Sequence, residues 1–233
     1  MNIVNETIAW LTDPAHWVGP NGIPVRMAEH VIISGVSLII ALAIALPIGL
    51  YIGHTGRHTA FAVNSANLWR ALPSLAVIAI VLPITASIDP EFGFKVYPTV
   101  IAMVVLAVPP IMVNTYSGLS GVDRDILEAG RGQGMAETQI LRKVELPLSV
   151  AVITVGIRSA SIQVIATATL GAVFGFGGLG RYLVNGVSQG DQGQIFGGVV
   201  LVAGLVLLTE LGFAITQRLL TPRGLRSAPR PTA

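Results

Sequence analysis

The chain has 233 residues, of which 52% are hydrophobic and 11% charged, against roughly 25% charged in soluble domains, and its mean hydropathy is +0.73. A formal net charge of +2, with the basic residues beside apolar runs and not along one helical face, excludes nucleic acid as a partner. The absence of cysteine excludes disulfides, thiolate metal sites and cysteine nucleophiles. What remains is an all-α, polytopic membrane protein.

Residues 1–27 lack a basic start, and Asp13, Pro14, Pro20 and Pro24 interrupt any apolar run, so no cleavable signal peptide is expected. Trp10 and Trp17 are rings of the kind that sit at a membrane surface, which predicts an interfacial, extracytoplasmic leader. The first span is expected over Val31–Ile52, 22 uncharged residues, close to the ~20 a helix needs to cross the hydrocarbon core. A loop is expected over Gly53–Thr59. His54 and His58 lie four apart there, but Gly53 and Gly56 favour a loop, and no metal site is expected.

Thr59 to about Ile88 is apolar but holds Asn64, Asn67, Arg70 and Pro73. It reads either as one long, bent span or as a half-helix followed by a span. A polar turn at Asp89–Lys95 ends it, and the third span follows over Val96–Tyr116, with a kink expected at Pro109–Pro110. The fourth span is expected from Leu148 to about Gly171, interrupted only by Arg158. A glycine-dense run, Gly171–Gly180, and a polar segment, Arg181–Gln194, lead to the fifth span, Ile195 to about Thr216, whose one charge is Glu210. The transmembrane region thus occupies residues 28–219, and a basic tail, 220–233, is expected to be disordered.

Between the third and fourth spans lies a charged island, Asp125–Pro147, D-I-L-E-A-G-R-G-Q-G-M-A-E-T-Q-I-L-R-K-V-E-L-P. It predicts a helix, a sharp turn at Gly134 and a second helix that ends at Leu146-Pro147, where proline removes a backbone donor. Ile140 and Leu141 are expected to offer an apolar patch to a partner, rimmed by Glu128, Glu137, Arg142 and Lys143.

The spacing Glu128-Ala129, Gly134, Val144, Leu146-Pro147 resembles the cytoplasmic "EAA" loop of bacterial ABC-importer permeases, in which Glu-Ala-Ala, three residues, Gly, nine residues, Ile, one residue and Leu-Pro recur. Gly130 and Val144 depart from its commonest residues. The resemblance implies a type I ABC-importer permease fold with a coupling helix that docks on an ATP-hydrolysing subunit through Glu128, Ala129, Gly134, Ile140, Leu141, Leu146 and Pro147. The charge distribution agrees independently. If the island is cytoplasmic, nine Lys/Arg residues lie inside and three, Arg26, Lys95 and Arg181, outside, which puts the N-terminus outside and the C-terminus in the cytoplasm of a bacterial inner membrane.

Further stretches, L-W-R-A-L-P-S-L-A at Leu68–Ala76, N-T-Y-S-G-L at Asn114–Leu119, V-E-L-P-L-S at Val144–Ser149, G-I-R-S-A-S-I-Q-V-I-A-T-A-T-L-G-A at Gly156–Ala172 and G-F-G-G-L-G-R at Gly175–Arg181, resemble permeases of importers for glycine betaine, choline, carnitine or proline betaine. Methionine-type permeases share a Gly-Gly-Leu-Gly stretch and stay as the alternative. An ion-coupled carrier is disfavoured by the loop. The resemblance implies two paired permease subunits in the bilayer, two ATP-binding subunits, an extracytoplasmic substrate-binding protein, no cofactor, and no catalysis by this chain, which carries no nucleotide-binding Gly-x-x-x-x-Gly-Lys-Ser/Thr sequence. With 6% aromatic residues, a cage for a quaternary ammonium is expected in the separate receptor.

The polar residues expected to matter within the spans are Arg70, Asn114, Arg158, Gln163, Thr167 and Glu210. A central charge costs some 2.5 kcal/mol or more, so Arg158 must face the bundle, either lining the path or, the preferred reading, pairing with Glu210 or the backbone. The Gly175–Gly180 run either packs against the receptor or permits a tight re-entrant turn.

Overall fold

Small residues recur at every fourth position through Ser37, Ala41, Ala45, Gly49 and Gly53, and in a helix that spacing puts them on one face. The computed structural model describes residues 2–220 and, within them, every side chain except those at positions 61, 62, 65, 70, 71 and 220. The side chain of Arg70 and the tail arginines Arg223, Arg226 and Arg230 therefore lie outside the described residues. The small-residue stripe lies on α2 (Ile23–Thr55) and faces α6 (Tyr97–Ser120). A Cβ built on Gly49 would stand 2.7 Å from Thr115 Cβ and 2.9 Å from the Met112 carbonyl oxygen, and one on Gly53 2.8 Å from Leu119 Cβ. The opposite face of α6 meets α9 (Leu146–Ala168) in the same way, with Gly156 against Asn114 and Pro110, and Gly118 against Ser149. The main core, including Ile33, Ala45, Met103, Ile111, Ala160 and Val164, is the filling of this three-helix hub.

The remaining elements hang on that hub. α1 (Ile3–Thr12) and a 3₁₀ turn (Pro14–Trp17) precede it. The uncertain stretch after α2 is two helices, α3 (Thr59–Ala71) and α4 (Ser74–Ile88). The break falls at Leu72-Pro73, both extended (ψ 127° and 129°), because proline lacks an amide hydrogen and disfavours helix in the residue before it. At 15 residues, α4 is only about 22 Å long, so the expected second span is a broken one. Val77 and Ile78 pack it on Ala102 of α6. The polar turn is the short helix α5 (Phe92–Lys95), and α6 runs on through Pro109 and Pro110.

Among the described residues four helical stretches are long and apolar enough to cross a membrane: Ile23–Thr55, Phe92–Ser120, Glu137–Phe174 and Gln192–Leu219. Several sequence expectations change here. α2 reaches Thr55, so Gly53 and His54 are helical, and the αL residue that stops it is Gly56 (φ 67°). The expected polar segment after the glycine run contains the helix α10 (Gly180–Gln189), which pairs with α11 (Gln192–Leu220). Trp10 is packed inside the chain. It is 7% exposed, stacked on His16 with ring centroids 4.4 Å apart and set edge-on to Tyr182, because Gly197 of α11 leaves room for its six-membered ring.

The glycine run is a tight turn against the N-terminal end of α2. Gly178 (φ 73°) donates its amide to Glu29 Oε2 at 2.7 Å, and the Leu179 amide donates to His30 Nδ1 at 3.3 Å. His30, fully buried, has its Nε2 3.0 Å from the Ile165 carbonyl. A carbonyl only accepts, so the neutral Nε2–H tautomer satisfies both contacts.

The hub makes a specific demand on Gly49. Gly49→Ala is expected to force α2 off α6 and, at the roughly 1–3 kcal/mol typical of overpacking, to lower the thermal unfolding midpoint of the detergent-solubilised protein. Gly35→Ala, at a position with nothing within 4 Å, is expected to leave it unchanged or slightly raised.

Candidate coupling loop and intramembrane polar residues

The charged island folds as a helix, a turn and a second helix. Asp123 caps α7 (Arg124–Gly132), accepting the Asp125 amide at 3.0 Å. At the other end the amides of Gly134 and Met135 bond back to the carbonyls of Arg131 and Gly130, at 2.9 and 3.1 Å, with Gly134 at φ 82°. These paired bonds with a left-handed residue make a Schellman stop, and glycine holds that position because a Cβ would be strained there. Across the turn Arg131 donates twice to Glu137, Nε to Oε1 at 2.8 Å and a terminal nitrogen to Oε2 at 3.1 Å. That hydrogen bond raises the guanidinium pKa further above its usual value. The side chain of Gln139 accepts the Ala136 amide at 3.0 Å, which closes the start of α8 (Glu137–Ile140).

The second helix does not end at Leu146-Pro147. It continues through a π turn (Leu141–Glu145) into α9. The Leu146 amide bonds to the Leu141 carbonyl, five residues back. Widening the ladder by one residue lets the helix absorb a proline that has no donor. The expected apolar patch also changes. Ile140 is fully buried, with Cγ1 3.8 Å from where a Gly130 Cβ would stand, and serves to hold α8 against α7. Leu141 is half-buried, and the exposed aliphatic side chain of the loop is Ile126. Glu128, Ala129, Gly134 and Pro147 are exposed, and Leu146 is half-buried.

Behind the loop a polar cavity of about 360 Å³ lies between the C-terminal ends of α2 and α6 and the α7 face that carries Arg124, Glu128 and Arg131. Its edge holds two residues that sequence reasoning did not join. Glu145 is 2% exposed, and its Oε2 is 2.5 Å from His54 Nδ1. They stand 91 residues apart, so no local pattern announces the pair. At the other end of the molecule a second polar cavity, of about 490 Å³, is lined by residues that include Arg26, Arg181, Asn185 and Asp191. Beside it the Tyr182 hydroxyl donates to the Asn21 carbonyl at 2.8 Å, and burial pushes this phenol's pKa up.

Within the helices the structure joins Arg158 of α9 to Glu210 of α11. Arg158 Nε donates to Glu210 Oε2 at 2.7 Å, and a terminal guanidinium nitrogen meets the other carboxylate oxygen. This is the pairing preferred from sequence, and it ties α11 to the hub. Asn114 donates to the Pro110 carbonyl at 2.8 Å and lies in the α6–α9 contact. Thr167 is buried and Gln163 half-buried on α9. Asn114, Gln163 and Thr167 do not line the cavity behind the loop. Among the described residues no group of three His, Asp or Glu is set to hold a metal.

Comparison with known proteins follows the same lines. Residues 41–225 match the family described as binding-protein-dependent transport system inner membrane component. The chain is 34% identical over 204 residues to the carnitine transport permease protein OpuCB of Listeria monocytogenes, covering 88% of this chain and 90% of that one. It is 35% identical over 198 residues to the choline transport system permease protein OpuBB of Bacillus subtilis (85% and 88% covered). To the osmoprotectant import permease protein OsmW of Salmonella typhimurium it is 32% identical over 221 residues (95% and 100%). Among solved structures, an inward-facing form of the MetNI methionine ABC transporter superposes with a TM-score of 0.74 at 24% identity, over 91% of this chain and 100% of that one, a likeness of fold.

The ion pair is open to a double-mutant test. Arg158→Leu alone leaves an unpaired carboxylate and is expected to destabilise, whereas Arg158→Leu with Glu210→Leu recovers part of the loss. A coupling of about 0.5–3 kcal/mol is expected, toward the low end because each side chain is 32% exposed. Unfolding midpoints of the four proteins in detergent check it.

Proposed function

Because the chain belongs to the family of binding-protein-dependent transport system inner membrane components, we propose that it is the permease subunit of an ATP-driven importer for osmoprotectants such as glycine betaine, choline, carnitine or proline betaine. The observation that carries the solute class is identity of 32–35% over more than four-fifths of the chain to permeases named for carnitine, choline or osmoprotectants. The methionine transporter's likeness, at 24% identity, speaks to fold alone and supplies no solute.

In this reading the subunit performs no covalent chemistry. It pairs with a second permease subunit in the bacterial inner membrane, stands on ATP-binding subunits and receives solute from an extracytoplasmic receptor. The Lys/Arg distribution supports an outside N-terminus and a cytoplasmic loop. The loop suits force transfer because α7 is capped at one end and stopped at the other, crossed by the Arg131–Glu137 pair, and continuous through α8 with a membrane-spanning helix. A push on it is passed toward α9 through helix, with the π turn Leu141–Glu145 as the joint between them. Alternating access is then a two-state equilibrium of the helices, biased by nucleotide on the partner subunit.

The test is uptake by proteoliposomes holding the complete complex. Labelled betaines, choline or carnitine are expected to accumulate with the cognate receptor and ATP, and to stop when the ATPase is inactivated. Accumulation that persists without hydrolysis would refute the reading, and uptake of methionine in place of these solutes would refute the solute class.

A second prediction concerns the turn. Gly134→Val forces a β-branched residue into a left-handed conformation at roughly 1–2 kcal/mol. It is expected to lower uptake per ATP hydrolysed, with membrane insertion intact. Glu128→Trp is expected to do the same by obstructing the exposed face of α7. Normal uptake per ATP in both variants would count against the loop's role.

A further inference from the structure

We propose that His54 is a positioning residue that latches the inner end of the first long membrane helix to the loop, so that α2 and the π turn travel as one body when the loop is pushed. The proposal rests on reading the loop as the place where the ATP-binding subunit acts.

Four side chains form an unbroken line. His54, in the last turn of α2, meets Glu145 of the π turn through Nδ1 at 2.5 Å, and its Nε2 lies 3.6 Å from Glu137 Oε2 at the start of α8. Glu137 is held twice by Arg131 of α7. One imidazole therefore touches two carboxylates from separate turns of the second loop helix, and through them the first. Among the described residues, the side-chain hydrogen bond that Glu145 makes is to His54. A carboxylate 2% exposed that loses its partner is left unpaired in a low-dielectric site, so the pair resists separation. The neighbouring cavity presents Arg124, Glu128 and Arg131 as the other charged groups near this junction.

The position of the pair makes this more than packing. Loop and α9 are joined by the π turn, where the ladder is widened by one residue and departs from regular α-helical bonding. Such an irregular joint is where a push on the loop can be taken up by local distortion. His54 bridges it, meeting Glu137 on the loop side and Glu145 at the α9 end, and gives the push a second route, into α2. From there the close contacts of Gly49 and Gly53 on α6 carry it into the hub.

The chain has no cysteine of its own, which permits a clean experiment on the complete reconstituted complex. His54→Cys with Glu145→Cys is expected, while reduced, to hydrolyse ATP but to lose about tenfold in uptake per ATP, a size usual for coupling between sites. Joining the two thiols with a short bifunctional reagent is expected to restore most of it in the same preparation. In parallel, His54→Gln, whose amide still donates to Glu145, is expected to keep the ratio near that of the unaltered protein, while His54→Leu loses it.

An unchanged ratio in the reduced cysteine pair or in His54→Leu overturns the proposal, as does failure of the cross-link to restore uptake or a tenfold loss in His54→Gln. The unaltered complex, run alongside, separates the two ideas. If it couples uptake to ATP and the His54 variants couple equally well, the latch alone falls. If it takes up solute without hydrolysis, the reading of the loop falls with it.

Discussion

The architecture depends on three helices that approach one another almost backbone to backbone. In hydrocarbon there is little hydrophobic gain from bringing apolar helices together, so association rests on van der Waals contact and on the few polar groups that find partners. α2 and α6 meet through Gly49 and Gly53, and α6 and α9 through Gly118 and Gly156, with Cβ positions on all four so close to the facing helix that no larger residue fits without movement. Such an interface is stiff. α11, with only 6% of its most apolar window buried inside the chain, is held to α9 by the Arg158–Glu210 pair and to the α1 segment by Trp10 in the recess at Gly197. The broad apolar surfaces of α11 and α2 are left for lipid or for another subunit.

Each end of the hub is finished by polar contacts from residues far apart in the chain. At the N-terminal end of α2 Glu29 and His30 receive two amides of the glycine turn, while His30 reaches the Ile165 carbonyl on α9. At its C-terminal end His54 meets Glu145. α2 is thus stapled at both ends to the segment that begins at α8 and ends beyond α9. A polar group in a low-dielectric setting is costly when alone and directional when paired, so these contacts reinforce at both ends of α2 the register that its small-residue contacts set.

Much of the loop was legible because its logic is local. A Gly placed after a short amphipathic helix reads as a left-handed stop, and Gly134 is one. Pro73 reads either as a bend in one long helix or as a break between two, and the fold takes the break. Reading failed where local rules are overridden at a distance. Pro147 reads as a terminus, but the π turn before it absorbs the missing donor and the helix continues. Ile140 reads as partner-facing on an otherwise polar loop, yet its side chain is swallowed by the fold of the loop upon itself. The recess that Trp10 fills has Gly197 as its floor, far along the chain, and no local pattern around Trp10 announces it.

Composition and run length alone determined that this is an all-helical chain of several membrane crossings with one charged elbow, because hydrocarbon admits only long apolar helices and tolerates charge only outside them. The spacing within the elbow determined its turn, since backbone conformation at a glycine is a local matter. Tertiary structure alone decided which polar residues are joined: Arg158 with Glu210, His30 with the glycine turn, His54 with Glu145. Those unions depend on the rotation of each helix about its axis and on its depth beside its neighbours. Both are set by contacts between small residues on different helices, and no one-dimensional pattern records them.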